Sequence, residues 1–180
     1  MLRLLVRAAA IAGLMALPAT AAMPPSLSVD GLGGVRVGMT LKQAEKVVGP
    51  LSVDYPNGGD DDGGCGDATP KRPWIAGASL MVENRRIVRI DIFQSDKSKP
   101  RPTTKTDAGI GIGSTIADVR RAYGKRLIIS AHPYEGDQGR YLTIKGLKPD
   151  REIIFETNHG RVESFRAGMT QQVDYIEDCL

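Results

Sequence analysis

Gly34-Val35-Arg36-Val37-Gly38-Met39-Thr40-Leu41 and Gly109-Ile110-Gly111-Ile112-Gly113-Ser114-Thr115-Ile116 read as two versions of one segment. Gly38 and Gly113 stand 75 residues apart. The same ungapped spacing lays Gly49 on Gly124, Arg86-Ile87 on Arg161-Val162, and Ile90 on Phe165. Self-similarity at a fixed period sets architecture before any local motif does. The reading is an α+β chain of two tandem repeats. Each repeat is a short helix, or a helical pair, packed on an antiparallel meander sheet. The first repeat is placed at 23–93, a linker at 94–106, and the second repeat with a C-terminal tail at 107–180.

Local chemistry supports the helices. Thr40 with Gln43, and Thr115 with Asp118, have the spacing of a capping box, in which the cap and the third helical residue bond each other's backbone N–H. Leu41, Ala44, Val47 and Val48 make one apolar stripe; Ile116, Val119, Ala122 and Tyr123 make the other. Gly49 and Gly124 stop them, and Pro50 prevents continuation of the first. At 8–10 residues, packing rather than propensity must hold such helices.

Strands are expected at 51–55, 78–83, 86–93, 126–130, 140–145, 152–156 and 161–166. Asn84-Arg85 and Asn158-His159-Gly160 mark hairpin turns. Val88, Ile90 and Ile92 alternate with Arg89 and Asp91, so one face is buried and the other polar.

The first 22 residues read as a leader. Arg3 and Arg7 precede an apolar run from Ala8 to Leu17, then Pro18 and the small residues Ala19 to Ala22. That is the basic, apolar and small-residue order of a secretory signal peptide, cut near Ala21 or Ala22. The run falls short of the ~20 residues that cross a bilayer. Removing Arg3 and Arg7 from the 24 basic residues leaves 22 against 21 acidic ones. A near-neutral chain without a basic stripe is not built to bind nucleic acid. The expected location is the periplasm or the medium.

Cys65 and Cys179 are the only two cysteines. In an oxidising compartment an even count favours a disulfide. The bridge would close a loop of more than a hundred residues, for which the chain-entropy model gives about 4–5 kcal/mol.

Val37-Gly38-Met39-Thr40-x-x-Gln43-Ala44, followed by Val48-Gly49-Pro50, resembles the small outer-membrane assembly lipoprotein family (the SmpA/OmlA type). Two such units in tandem in an exported chain are similar to the β-lactamase inhibitory protein fold. That resemblance implies helices on four-stranded antiparallel sheets, with a concave surface that grips a protein. No cysteine lies near the cleavage site, so the lipid anchor of the first family is not carried over. No inhibitory residue is transferred either.

No nucleophile elbow, metalloprotease helix or Cys–His pairing occurs, so no catalytic residue and no cofactor are assigned. Asp60-Asp61-Asp62 clusters carboxylates without the alternation of a calcium loop, and reads as a solvated loop. Gly109-x-Gly111-x-Gly113 precedes a helix but is explained by the repeat, not by a phosphate cradle. The candidate contacts are Tyr55, Trp74, Arg89, His132, Tyr134 and Tyr141, because aromatic and arginine side chains dominate protein interfaces. The function expected is an exported, non-catalytic binding protein that engages another envelope or secreted protein through exposed sheet faces and loops, with inhibition as one mode of action. The alternatives are an outer-membrane assembly or envelope-maintenance factor, and a carbohydrate- or calcium-dependent ligand binder.

Overall fold

The computed structural model describes residues 24–56 and 64–179. The expected leader and the Asp60–Asp62 stretch expected to form a solvated loop lie outside the described residues. In chain order the elements are β1 (Leu27–Ser28), β2 (Gly31–Leu32), β3 (Val35–Arg36), α1 (Leu41–Val48), β4 (Leu51–Asp54), β5 (Cys65–Pro70), β6 (Ala78–Glu83) and β7 (Arg86–Ile92). There follow α2 (Ile116–Tyr123), β8 (Leu127–His132), β9 (Gly136–Lys145), β10 (Arg151–Asn158), β11 (Arg161–Met169) and α3 (Thr170–Val173).

The two-repeat α+β architecture is corrected. Among the described residues strand outweighs helix, 45% against 15%. The long strands form one antiparallel sheet of eight in the order β4-β5-β6-β7-β11-β10-β9-β8, with β1, β2 and β3 as a separate small sheet. The two meanders do not each own a sheet. They join edge to edge where β7 pairs with β11, Ile92 opposite Phe165 and Ile90 opposite Ala167. The physical reason is that a meander ends on a strand with unpaired N–H and C=O groups, and β7 and β11 satisfy each other. Gly168 lets them approach. Its φ is +157°, and a Cβ there would lie 2.2 Å from the Val88 carbonyl oxygen.

Locally the helices form as their caps dictate. The Gln43 N–H donates to Thr40 Oγ1 at 3.3 Å, and the Thr40 N–H donates to Gln43 Oε1 at 2.9 Å. Thr115 and Asp118 repeat the pair at 3.1 and 2.9 Å. Gly49 and Gly124 end the helices at φ +82° and +56°. The two glycine turns dock alike on the hairpins. The Gly38 N–H donates to the Ile87 carbonyl, and the Gly113 N–H to the Val162 carbonyl.

One face of the large sheet carries the core. Leu80, Ile90, Ile92, Phe165, Phe155 and Leu142 bury against Leu27, Leu32 and Val35 of the small sheet, Ala44 and Val48 of α1, and Val119 and Tyr123 of α2. Val47, expected in the α1 stripe, is exposed. The 94–106 segment is anchored at its end, where Tyr123 Oη donates to buried Thr106 at 2.8 Å.

The opposite face is polar, and the chain's own C-terminus folds over it. α3 and residues 174–179 return across β7 and β11. The disulfide between Cys65 and Cys179 pins them, spanning 114 residues. Met81, Val88 and Cys179 form a second small core beneath this strap. Among the described residues no helix is long and apolar enough to cross a membrane.

Candidate functional site

The period-2 alternation of β7 that points Ile90 and Ile92 at the core points Arg89 and Asp91 at the second face. On β11 the same alternation places Arg166 between Phe165 and Ala167, directly opposite Asp91. Two guanidinium groups are therefore buried side by side on the seam of the sheet. Buried charge is tolerated only when paired and hydrogen-bonded, and both arginines are. Arg89 Nε donates to Asp91 Oδ2 at 3.0 Å, its Nη1 to the Gln172 carbonyl at 2.9 Å, and its Nη2 to Asp178. Arg166 Nε donates to the Val173 carbonyl at 2.6 Å and its Nη1 to Glu156. The carbonyls come from α3, whose C-terminal end, with its partial negative charge, is held by the two cations.

The carboxylates split in character. Burial pushes Asp91 up to about 6, although Arg89 and Arg166 pull it down. Burial also pushes Glu156 up, but Arg166, Ser164 and His132 outweigh it and hold that carboxyl below its ordinary value. Burial raises Asp67, reinforced by the neighbouring Asp178. Glu152, fully buried on β10, is raised by burial against the pull of its ion pair with Lys145.

Beside this network stands an aromatic group. Tyr141 on β9 lies under the Arg166 guanidinium, 5.4 Å from ring centroid to Cζ. His132 meets the Tyr141 ring edge-on at 4.7 Å and the Tyr134 ring at 6.4 Å. His132 Nδ1 accepts the backbone N–H groups of Tyr134 and Glu135, both at 3.2 Å. An accepting Nδ1 leaves the proton on Nε2, which faces Glu156 Oε2 at 3.8 Å. Tyr134, 66% exposed, reaches across to bond Glu177 of the strap. That bond raises its hydroxyl pKa.

Two cavities open along this face. One, of about 730 Å³, is lined by Lys97, Lys99, Arg101, His132, Glu156 and Arg161 among others. The second, of about 400 Å³, is lined by Asp67, Arg89, Asp91, Arg166, Ile176 and Asp178. Phe93, Glu156 and Ser164 border both. The larger falls within the ~300–1,000 Å³ of ordinary ligand clefts. Its lining mixes cations, carboxylates and one exposed aromatic, Phe93.

Of the six candidate contacts, His132, Tyr134 and Tyr141 are brought together. Arg89 lies in the adjoining ion network, 2% exposed and reached from outside through the smaller cavity it lines. Tyr55 is half-buried after β4, its ring against Gly66, and Trp74 is half-buried against the core face near Gly33. These two lie apart from the cluster. Sequence reasoning misses Asp91, Glu156, Arg166 and Asp178. The signal for Arg166 was available: a charge between Phe165 and Ala167 on an alternating strand. Among the described residues no group of histidine, cysteine, aspartate or glutamate side chains is arranged to hold a metal.

No protein-family model, curated protein or solved structure gives a significant match to the chain.

Proposed function

We propose that the chain is an exported, non-catalytic binding protein whose polar sheet face holds a segment of another envelope or secreted protein. The observation that carries this reading is the convergence of His132, Tyr134 and Tyr141 with the Arg166–Glu156 pair, of which His132 and Glu156 line the 730 Å³ cleft. Tyrosine and arginine are the side chains interfaces favour, because each offers a rigid apolar body and a directed polar group. The strap and sheet seam hold Tyr141 and Arg166 in place before binding, which lowers the ordering cost of association. The leader pattern of residues 1–22 and the disulfide support an oxidising compartment outside the cytoplasm. The resemblance of the glycine-turn units to the inhibitory fold points the same way, to action by contact.

The test is capture with the oxidised, leader-free protein from envelope and medium, followed by titration calorimetry on the partner identified. Tyr134→Ala, at an exposed side chain whose loss leaves the core untouched, is expected to weaken binding by at least about tenfold, the scale of a modest hot spot. Unchanged affinity in Tyr134→Ala and Tyr141→Ala together would place the contact elsewhere. The volume and mixed lining of the cleft also suit a small polar ligand such as a sugar. Ligand-dependent melting shifts with oligosaccharides, with no protein captured, would favour that second reading.

A further inference from the structure

Among the described residues the eight-stranded sheet ends on two edge strands, and they differ. β4 is four residues long and ends on exposed Asp54. β8 is longer, Leu127-Ile128-Ile129-Ser130-Ala131-His132, with neither proline nor any lysine, arginine, aspartate or glutamate. Ile128 and Ile129 are 52% and 39% exposed. Sheet proteins normally blunt an edge with charge, proline, a short strand or a covering loop, since its unpaired N–H and C=O groups invite another strand. Among the described residues β8 pairs with β9 on one side only.

We propose that β8 is a self-association edge: β8 of one copy pairs antiparallel with β8 of a second copy about a two-fold axis at Ile129, making one continuous sheet. Three features select a second copy as the occupant. The first is face parity. A two-fold axis perpendicular to the sheet keeps each face on its own side, so residues opposite each other must share a face. An axis at Ile129 sets Ile129 against Ile129 and Leu127 against Ala131 on the helix-covered face, and Ile128 against Ser130 on the other. The second is continuity. Leu127 and Ile129 pair inward with Ile144 and Leu142 of β9, both core residues. The apolar stripe therefore runs from one core to the edge and on into its symmetry mate.

The third feature is charge. The uncharged strand has Lys125 and Arg126 before it and Glu135 and Asp137 after it. Antiparallel pairing brings the basic end of each copy beside the acidic turn of the other. A two-fold makes that encounter twice, since an isologous contact is self-complementary. Cross-strand apolar pairs and opposite charges each stabilise such a ladder. The ligand cleft is lined mainly by β10, β11 and residues 93–101, and His132 is the one residue of β8 that reaches it.

Sedimentation equilibrium on the oxidised, leader-free protein tests the proposal over about 1 to 200 μM, the range of modest association constants. The expected result is a mass that rises with concentration toward twice that of the leader-free monomer. Ile129→Lys sets like charges directly opposite across the axis and is expected to raise the dimer dissociation constant at least about tenfold. Ile128→Lys, on the other face, carries the same expectation, and reads out the interface if the first variant fails to fold by circular dichroism. A monomer at every concentration overturns the proposal. So does a dimer whose constant neither substitution moves, because its interface would then lie elsewhere.

Discussion

Arg89→Met tests whether the seam network is what holds the strap on the sheet. The substitution keeps most of the aliphatic stem and removes the guanidinium. Arg89 is 2% exposed and serves Asp91, the Gln172 carbonyl and Asp178 together. Removing one partner of a buried ion pair costs about 3–5 kcal/mol, because the other charge stays buried and uncompensated. Here the penalty has an escape route, which gives the prediction its shape. Burial has already pushed Asp91 up to about 6 in the fold, from 3.8 for the carboxyl of a free chain. The proton that native Asp91 holds more tightly than the unfolded chain does stabilises the fold fully below pH 3.8. That contribution fades between 3.8 and about 6 and is gone above. Without Arg89 the native carboxyl titrates higher still, so the variant goes on losing stability above pH 6 after the wild type has levelled off. Each pH unit is worth about 1.4 kcal/mol. Between pH 6 and 7.5 the variant therefore falls further behind, by up to about 2 kcal/mol. At pH 5 both forms keep Asp91 largely protonated, and the deficit shrinks to the lost hydrogen bonds and packing, about 1–3 kcal/mol. The assay is urea unfolding of the oxidised protein at pH 5 and 7.5, followed by circular dichroism. A stability difference that is the same at both pH values, or below about 1 kcal/mol at pH 7.5, would refute the coupling of Arg89 to Asp91.

The same geometry makes two further predictions. In a carbon-detected NMR titration, the Asp91 carboxyl should show a midpoint near 6; a midpoint in the ordinary range near 4 would mean that the strap does not desolvate it. Replacing both Cys65 and Cys179 with serine opens a 114-residue loop and should cost up to about 4–5 kcal/mol. Amide exchange should then accelerate in residues 174–179 well before it does in β7 or β11. Uniform acceleration would show that the tail does not open as a separate unit.

Much of the local structure is legible in the sequence because its causes are local. A capping box needs only a threonine and a partner three residues on, and both helices start where Thr40 and Thr115 place them. The hairpins at Asn84-Arg85 and His159-Gly160 turn through positive φ as two-residue loops require. The disulfide between Cys65 and Cys179 is the pairing that two cysteines allow. By contrast β5 passes unnoticed, since Cys65-Gly66-Asp67-Ala68-Thr69-Pro70 has almost no β-branched residue. It is a strand because β4 and β6 flank it. The paired strands of the small sheet are two residues each, too short to show a period.

The larger misreading has one cause, and it also explains the site. A period of two says which residues of a strand share a face. It does not say which strand lies alongside, nor what covers the face. The pairing of β7 with β11 closes two free edges that are remote in sequence, so nothing near Ile92 or Phe165 announces it. Once that seam exists, Asp91 stands opposite Arg166, and a row of polar residues that looked solvated becomes a buried ionic cluster. Its cover is equally remote: the carbonyls that accept from Arg89 and Arg166 belong to Gln172 and Val173. Polar residues on an alternating strand can therefore be a wet face or a buried network. The difference is decided by whether another part of the chain brings acceptors to them. His132, Tyr134 and Tyr141 were identifiable because they lie within ten residues of one another on one hairpin. Arg166, Glu156 and Asp91 were not, because the seam that assembles them forms only in the folded sheet.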